Sequence, residues 1–256
     1  MLRNGPNLSD SVVNVESGEY QIGNDSIPNA EPRHGRNVCE FWIDETPVSL
    51  GHVEVFVASG GYFENRWWQD SNQNGANLLK QGSVDQRCSE IRALSVKILS
   101  QLRPRPRSSS EVPAVGMTWM EAAAICRFFG GRLPFEAEWE VAMQTSLERG
   151  MRHNDPSSKR LSLWGCQLCL GFLEEWTAGA FTQRHWRDPV TPEFANADSR
   201  YGVCLRGSTR GSLVTDQAYR TSGDPTEGRP FRGFRRVWTE VPTMARVSSD
   251  FEIQRQ

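Results

Sequence analysis

Two short helices, each with its own start and stop signals, lie back to back between Val115 and Met143 and dictate most of what can surround them. Thr118 followed by Glu121 makes a capping box, so MEAAAICRFF runs as a helix until Gly130 and Gly131 stop it. Pro134 then starts a second helix as its first residue, and FEAEWEVAM places Trp139, Ala142 and Met143 on one buried face. The rest of the chain has no long periodic helix, and 22 glycines, 14 prolines and 9 tryptophans are too many for a helix bundle.

Upstream, Val12 to Ile22 alternates weakly and reads as a short strand after a loose arm. VCEFWIDETPVS (Val38 to Ser49) gives a second strand, after which Ser49 caps a helix carrying Val53, Phe56 and Val57. ASGGY ends that helix, with glycine supplying the left-handed turn. Residues 64–80 read as irregular, and Ile91, Leu94, Ile98 and Leu102 form one face of a helix. Helices are therefore expected near 49–59, 89–102, 118–129 and 135–143, with loops and short strands after Gln144. This is an α+β pattern. RPRPRSSS (Arg103 to Ser110) is a proline-interrupted basic connector that reads as a solvated loop.

The 256 residues are 38% hydrophobic and 23% charged, enough to bury a core, and the formal net charge is −2. No global field therefore favours nucleic acid or an anionic membrane as a partner. No stretch approaches the roughly 20 apolar residues of a bilayer span, and the N-terminal residues hold no secretory apolar run. The expectation is a cytoplasmic protein with its six cysteines reduced. Neither a phosphate-binding glycine loop, a dinucleotide fingerprint, H-E-x-x-H nor G-x-S-x-G occurs.

VGMTWMEAAAICRFFGGRLPFEAEWEVA closely resembles the formylglycine-generating-enzyme, or sulfatase-modifying-factor, family: Gly131, Arg132, Leu133, Pro134, Glu136, Ala137, Glu138, Trp139 and Glu140 match its G-G-R-L-P-T-E-A-E-W-E in register. Further blocks follow in the family's order: EPRHGRNVCEFWIDETPVS, GGYFENRWW, GFLEEWTAG, CLRGSTRG, and AYRTSGDPTEGRPFRGFRRVW. The resemblance covers about Val12 to Trp238, leaving 1–11 as an arm and 239–256 as a tail. It implies a C-type-lectin-like α+β fold with a small twisted antiparallel sheet, few helices and long ordered loops. In it Trp139, Trp176, Phe234 and the arginines of RLP and GFR act as scaffold.

Family members that make formylglycine bind copper through two cysteines after R-G-G-S, because soft thiolates select Cu(I). The resemblance puts Ser212 and Gln217 in those places, so no copper site, cofactor or formylglycine synthesis is expected. The three-histidine iron site of the family's sulfoxide synthases is not expected either, since His34, His52, His153 and His185 contain no i,i+4 pair. Phe172 replaces a calcium-ligating asparagine and Glu174 a tryptophan of G-N-V-W-E-W, which argues against calcium. Cys166 and Cys169 form a lone C-x-x-C at family positions that are apolar, and read as buried small hydrophobes. Cys126 matches a family cysteine whose usual partner position is Arg236 here.

Two functions remain open. One is a non-catalytic binding or accessory module for a protein or peptide, a pseudoenzyme with its ligand surface at Thr209, Arg210, Ser212, Gln217, Tyr219 and Arg220. There Arg210 stands in place of a tryptophan and could pair with a carboxylate or phosphate. The alternative is an enzyme, oxidative and part of a biosynthetic pathway, with a site rebuilt around other residues.

Overall fold

The computed structural model describes residues 11–68, 82–98, 108–145, 161–169, 172–182, 202–207 and 216–242, with single positions at 75, 79 and 106. Nine strands and four helices are defined among them. β1 (Val12–Val15) and β2 (Gly18–Ile22) divide what reads as one strand in the sequence. They enter different sheets. β1 pairs antiparallel with β4 (Phe41–Asp44), which pairs in turn with β9 (Val237–Trp238), whereas β2 forms a hairpin with β3 (His34–Val38).

α1 spans Leu50–Ala58 with Ser49 at its N-cap, and Gly60, at φ +74°, takes the turn that ends it. α2 spans Val84–Ile98 and starts five residues before the expected Ser89. Its signal is Ser83, whose hydroxyl accepts from Gln86 N at 3.2 Å. Ile91 and Ile98 are buried, and Leu102 lies outside the described residues.

α3 (Trp119–Phe128) has the expected capping box, with Glu121 N donating to Thr118 Oγ1 at 3.2 Å and Thr118 N donating to Glu121 Oε2 at 2.8 Å. Gly130, at φ +74°, stops it. α4 covers Glu136–Ala142, so Pro134 is not its first residue: Phe135 is the N-cap, and its amide donates to Glu138 Oε2 at 2.7 Å. Pro134 instead hands its carbonyl to Ala178 N at 2.8 Å, tying the turn to the main sheet.

That sheet has the order β7 (Arg220–Gly223), β6 (Val203–Gly207), β5 (Glu174–Ala180), β8 (Arg232–Phe234). Its pairings are antiparallel except β5–β8, which is parallel, so the sheet is mixed rather than wholly antiparallel as expected. One face carries Trp176, Leu205 and Phe234 into a core shared with α1, α2 and α3. Trp119 Nε1 donates to Thr177 O at 2.8 Å, and Trp176 Nε1 donates to Met117 O at 3.1 Å, so each indole satisfies its one donor while burying its rings. The other face rests on α4, next to a second core of Phe41, Ile43, Trp139, Met143 and Cys166. Among the described residues no helix is long and apolar enough to cross a membrane.

Candidate functional site

The face of the main sheet that meets α4 is polar where a core would normally be greasy. Glu136 and Glu140 lie one helical turn apart on α4 and therefore point the same way. Opposite them, Arg206 at the end of β6 and Arg220 at the start of β7 are paired across the sheet. Arg206 Nη1 donates to Glu136 Oε1 at 2.8 Å, and its Nη2 donates to Glu140 Oε2 and to Gln217 O, the latter at 2.8 Å. Arg220 Nε and Nη2 grip both oxygens of Glu136, while its Nη1 reaches Thr182 O at 2.6 Å and Asn29 O at 3.0 Å. Gly23 N completes the set on Glu140 Oε1 at 2.7 Å.

Both guanidinium groups are 1% exposed, so the four charges cancel in a dry setting. Burial nevertheless pushes the Glu140 carboxyl up, against the pull of Arg206. The frame's geometric result is specific. Gly207, at φ +79° and with no room for a Cβ beside Leu173 O, lets the chain leave the sheet, and Gln217 O brings it back onto Arg206.

Of the six candidate ligand residues, three sit at this return point. Gln217 is half-buried and engaged through its carbonyl. Tyr219 is half-buried and packs against Ile27, Ala30 and Ala218. Arg220 belongs to the frame rather than to the surface. Thr209, Arg210 and Ser212 lie outside the described residues.

Two further arginines anchor the same sheet from the β8–β9 side. Arg235 Nε donates to Glu175 Oε2 at 2.9 Å, and that carboxylate also accepts from Trp139 Nε1 at 2.8 Å. The remaining Arg235 nitrogens hold the carbonyls of Asp44, Glu45 and Gln167 at 3.1, 2.7 and 2.5 Å. Arg236 grips both oxygens of Asp44 at 2.9 and 2.8 Å and meets His52 Nε2 at 3.1 Å. These groups stand in for a large regular sheet: guanidinium donors satisfy loop carbonyls that no strand pairs.

All six cysteines are free thiols. Cys166 is buried and Cys169 half-buried, with the Cys169 sulfur 4.0 Å from Arg235 Nη2. Burial pushes the Cys166 thiol up to about 11 and the Cys169 thiol to about 12. Cys204, beside Glu136 and Arg220, is likewise pushed up to about 12 by burial. All three stay protonated at neutral pH and are weak nucleophiles. Cys126 Sγ is buried 4.0 Å from Arg235 O.

At the end of β5, next to Gly207, sits a group that sequence reasoning did not assign. Glu174 lies between Gly207 on β6 and Arg232 on β8. Phe172 meets Phe231 edge to face with ring centroids 5.9 Å apart. A ring at position 172 supplies no oxygen, so the family's calcium does not fit there. Copper fits no better at Gln217, whose side chain offers an amide in place of a soft thiolate. Among the described residues no group of three or more His, Cys, Asp or Glu side chains could hold a metal ion. The signal for this group was in the sequence, since Phe172 and Glu174 are both departures from G-N-V-W-E-W.

Comparison with known proteins agrees with this architecture. A hercynine oxygenase of Mycolicibacterium smegmatis is 24% identical over 272 residues, covering 91% of this chain and 62% of that enzyme, so this chain spans less than two thirds of its relative. PvdO from Pseudomonas aeruginosa superposes with a TM-score of 0.59 at 16% identity, over 93% of this chain and 99% of that one. Treponema denticola variable protein 1 superposes with a TM-score of 0.55 at 15% identity, over 90% and 95%. Residues 3–204 match the family described as sulfatase-modifying factor enzyme 1-like, and the chain belongs to that family.

Proposed function

We propose that this chain is the sulfatase-modifying-factor-like domain of an enzyme whose active site is rebuilt without a copper-binding cysteine pair. The site lies at the end of the main sheet, beside Gly207 and Gln217. The observation that carries the reading is the Arg206–Glu136–Arg220–Glu140 frame. It holds Gln217 O against the end of β6 through buried, charge-assisted bonds, the kind of support that holds reacting groups in place. The family and the mycolicibacterial relative, both enzymes by name, favour catalysis over display.

The reaction is oxidative, belongs to a biosynthetic pathway, and is not conversion of cysteine to formylglycine, since the resemblance puts Ser212 and Gln217 in the thiol positions. The six free cysteines support a cytoplasmic setting. The binding-module reading is supported by the likeness in fold to variable protein 1 and by the half-buried Gln217 and Tyr219 edge.

Turnover separates the two. The purified chain is incubated aerobically with a small-molecule extract of its source cells and with the protein products of neighbouring genes, and mass changes are followed. A product formed in many-fold excess over protein is the expected result. A compound retained one-to-one and released unchanged would make this a binding module. In parallel, a C-x-P-x-R peptide with added copper should show no formylglycine by mass spectrometry.

A further inference from the structure

The buried arginines of this protein are not equally satisfied. Arg206, Arg220, Arg235 and Arg236 each hold a carboxylate oxygen at 2.9 Å or less. Arg232 is as deeply placed, at 4% exposed, yet its carboxylate partner Glu174 is 3.5 Å away and its carbonyl partner, Glu227 O, is 3.3 Å away. Its buried Nε–H, like that of Arg206, finds no acceptor among the described residues, but the other nitrogens of Arg206 hold two carboxylates at close range. The guanidinium stacks 4.6 Å above the Trp176 ring, which orients it but supplies only part of a counter-charge. Burial accordingly pulls the Arg232 guanidinium below its usual value, with Glu174 opposing only in part.

Among the described residues no other carboxylate pairs with Arg232. The neighbouring Arg229 is a cation already claimed by Glu227, at 3.0 and 2.6 Å. Glu174 is the part of the cluster that reaches solvent, with 18% of its side chain exposed. The half-buried rings of Phe172 and Phe231 stand beside it. Through the Glu174–Gly207 pairing, this cluster adjoins the end of β6.

We propose that Arg232 receives the oxyanion of the substrate: a carboxylate or phosphate group enters beside Glu174, displaces that side chain from its long contact, and is held by the guanidinium edge over Trp176. This inference rests on the reading that the reaction takes place at this end of the sheet. A planar guanidinium whose Nε–H lacks an acceptor among the described residues and whose Nη2 makes only a 3.5 Å contact suits either oxyanion in bidentate fashion once Glu174 moves aside. An underpaired buried cation is a standing cost to the apo protein, and an anion that pairs it recovers that cost on binding.

The test is thermal unfolding of the full chain titrated with succinate or with inorganic phosphate, using sodium chloride to hold ionic strength constant. One of the two anions should raise the melting temperature along a saturating curve, and which one does so assigns carboxylate or phosphate. Arg232→Met should abolish the shift, and Arg232→Lys, which keeps the charge and loses the fork, should weaken binding about ten-fold. Glu174→Gln should tighten the same anion by about five-fold, because a competing negative charge is gone. A purely structural Arg232–Glu174 pair predicts no such gain. The proposal is overturned if neither anion exceeds chloride, if the shift survives in Arg232→Met, or if Glu174→Gln weakens binding. Anion binding without turnover sinks the enzymatic reading alone, and turnover without Arg232-dependent binding sinks this inference alone.

Discussion

Glu121 is the residue whose loss should cost the most for its size. Its carboxylate caps α3 and at the same time accepts from Arg87 Nε and Nη2 at 2.8 and 2.7 Å and from Tyr62 Oη at 2.8 Å. Only 5% of its side chain is exposed, and 16% of that of Arg87. Glu121→Ala would leave a largely buried guanidinium, a buried phenol and a helix-start amide without their acceptor. Orphaning one partner of such a pair costs about 3–5 kcal/mol, and the lost cap adds about 1 kcal/mol. For a chain of this size the melting temperature should fall by about 8–24 °C. Urea unfolding followed by circular dichroism, run as a cycle with Arg87→Met and the double variant, measures the coupling. The double variant should be more stable than Glu121→Ala alone, with a coupling of about 2 kcal/mol or more. A coupling below about 0.5 kcal/mol would refute the reasoning, because it would mean that the guanidinium finds water as readily as it finds Glu121. The same residue sets an acid limit. Burial pushes its carboxyl up, but Arg87, the Thr118 amide and Tyr62 outweigh that and hold it below the usual carboxylate range. Its contribution is therefore full above the unfolded value near pH ~4.3. It is lost as pH falls through the lower folded value, and Glu121→Gln should remove that part of the acid transition.

Gly207→Ala should destabilise by more than about 1 kcal/mol, since it forces a side chain into φ +79° with its Cβ 2.6 Å from Leu173 O; a melting temperature equal to that of the parent would count against the described turn. Native-state labelling of Cys166 and Cys169 by a thiol reagent at pH 7 should be slow, as their thiols are pushed up to about 11 and 12, and should speed up together in urea. Rapid labelling of Cys166 without denaturant would contradict its burial.

What the sequence made legible was local. α1, α3 and α4 are bounded by caps and glycines within a turn of their ends, so they stand within two residues of expectation. The start of α2 was missed because Ser83 opens the helix on a polar turn, V-D-Q-R, where no apolar periodicity announces it. The parallel pairing of β5 with β8 joins residues 58 apart, and no short-range pattern encodes it. The same distance hides the site. Arg220 reads as a loop cation until Glu136, 84 residues earlier, is brought against it, and Arg232 reads as one of several arginines in GRPFRGFRR until its shortfall of partners is measured. The substitutions that did mark the site, Phe172 and Glu174, were legible only as departures from a family pattern, without the geometry that gives them a role.

The frame of Arg206, Arg220, Glu136 and Glu140 also governs how such a chain can change over generations. Arg206 pairs with both carboxylates and Glu136 with both guanidinium groups, so replacing either one strands a buried charge, whereas Glu140 and Arg220 each pair with a single member of the frame. Selection therefore acts on its members unequally: a change at Arg206 or Glu136 has to be matched by changes at two partners, and a change at Glu140 or Arg220 by one. A lineage with this construction inherits a socket whose central pair drifts last.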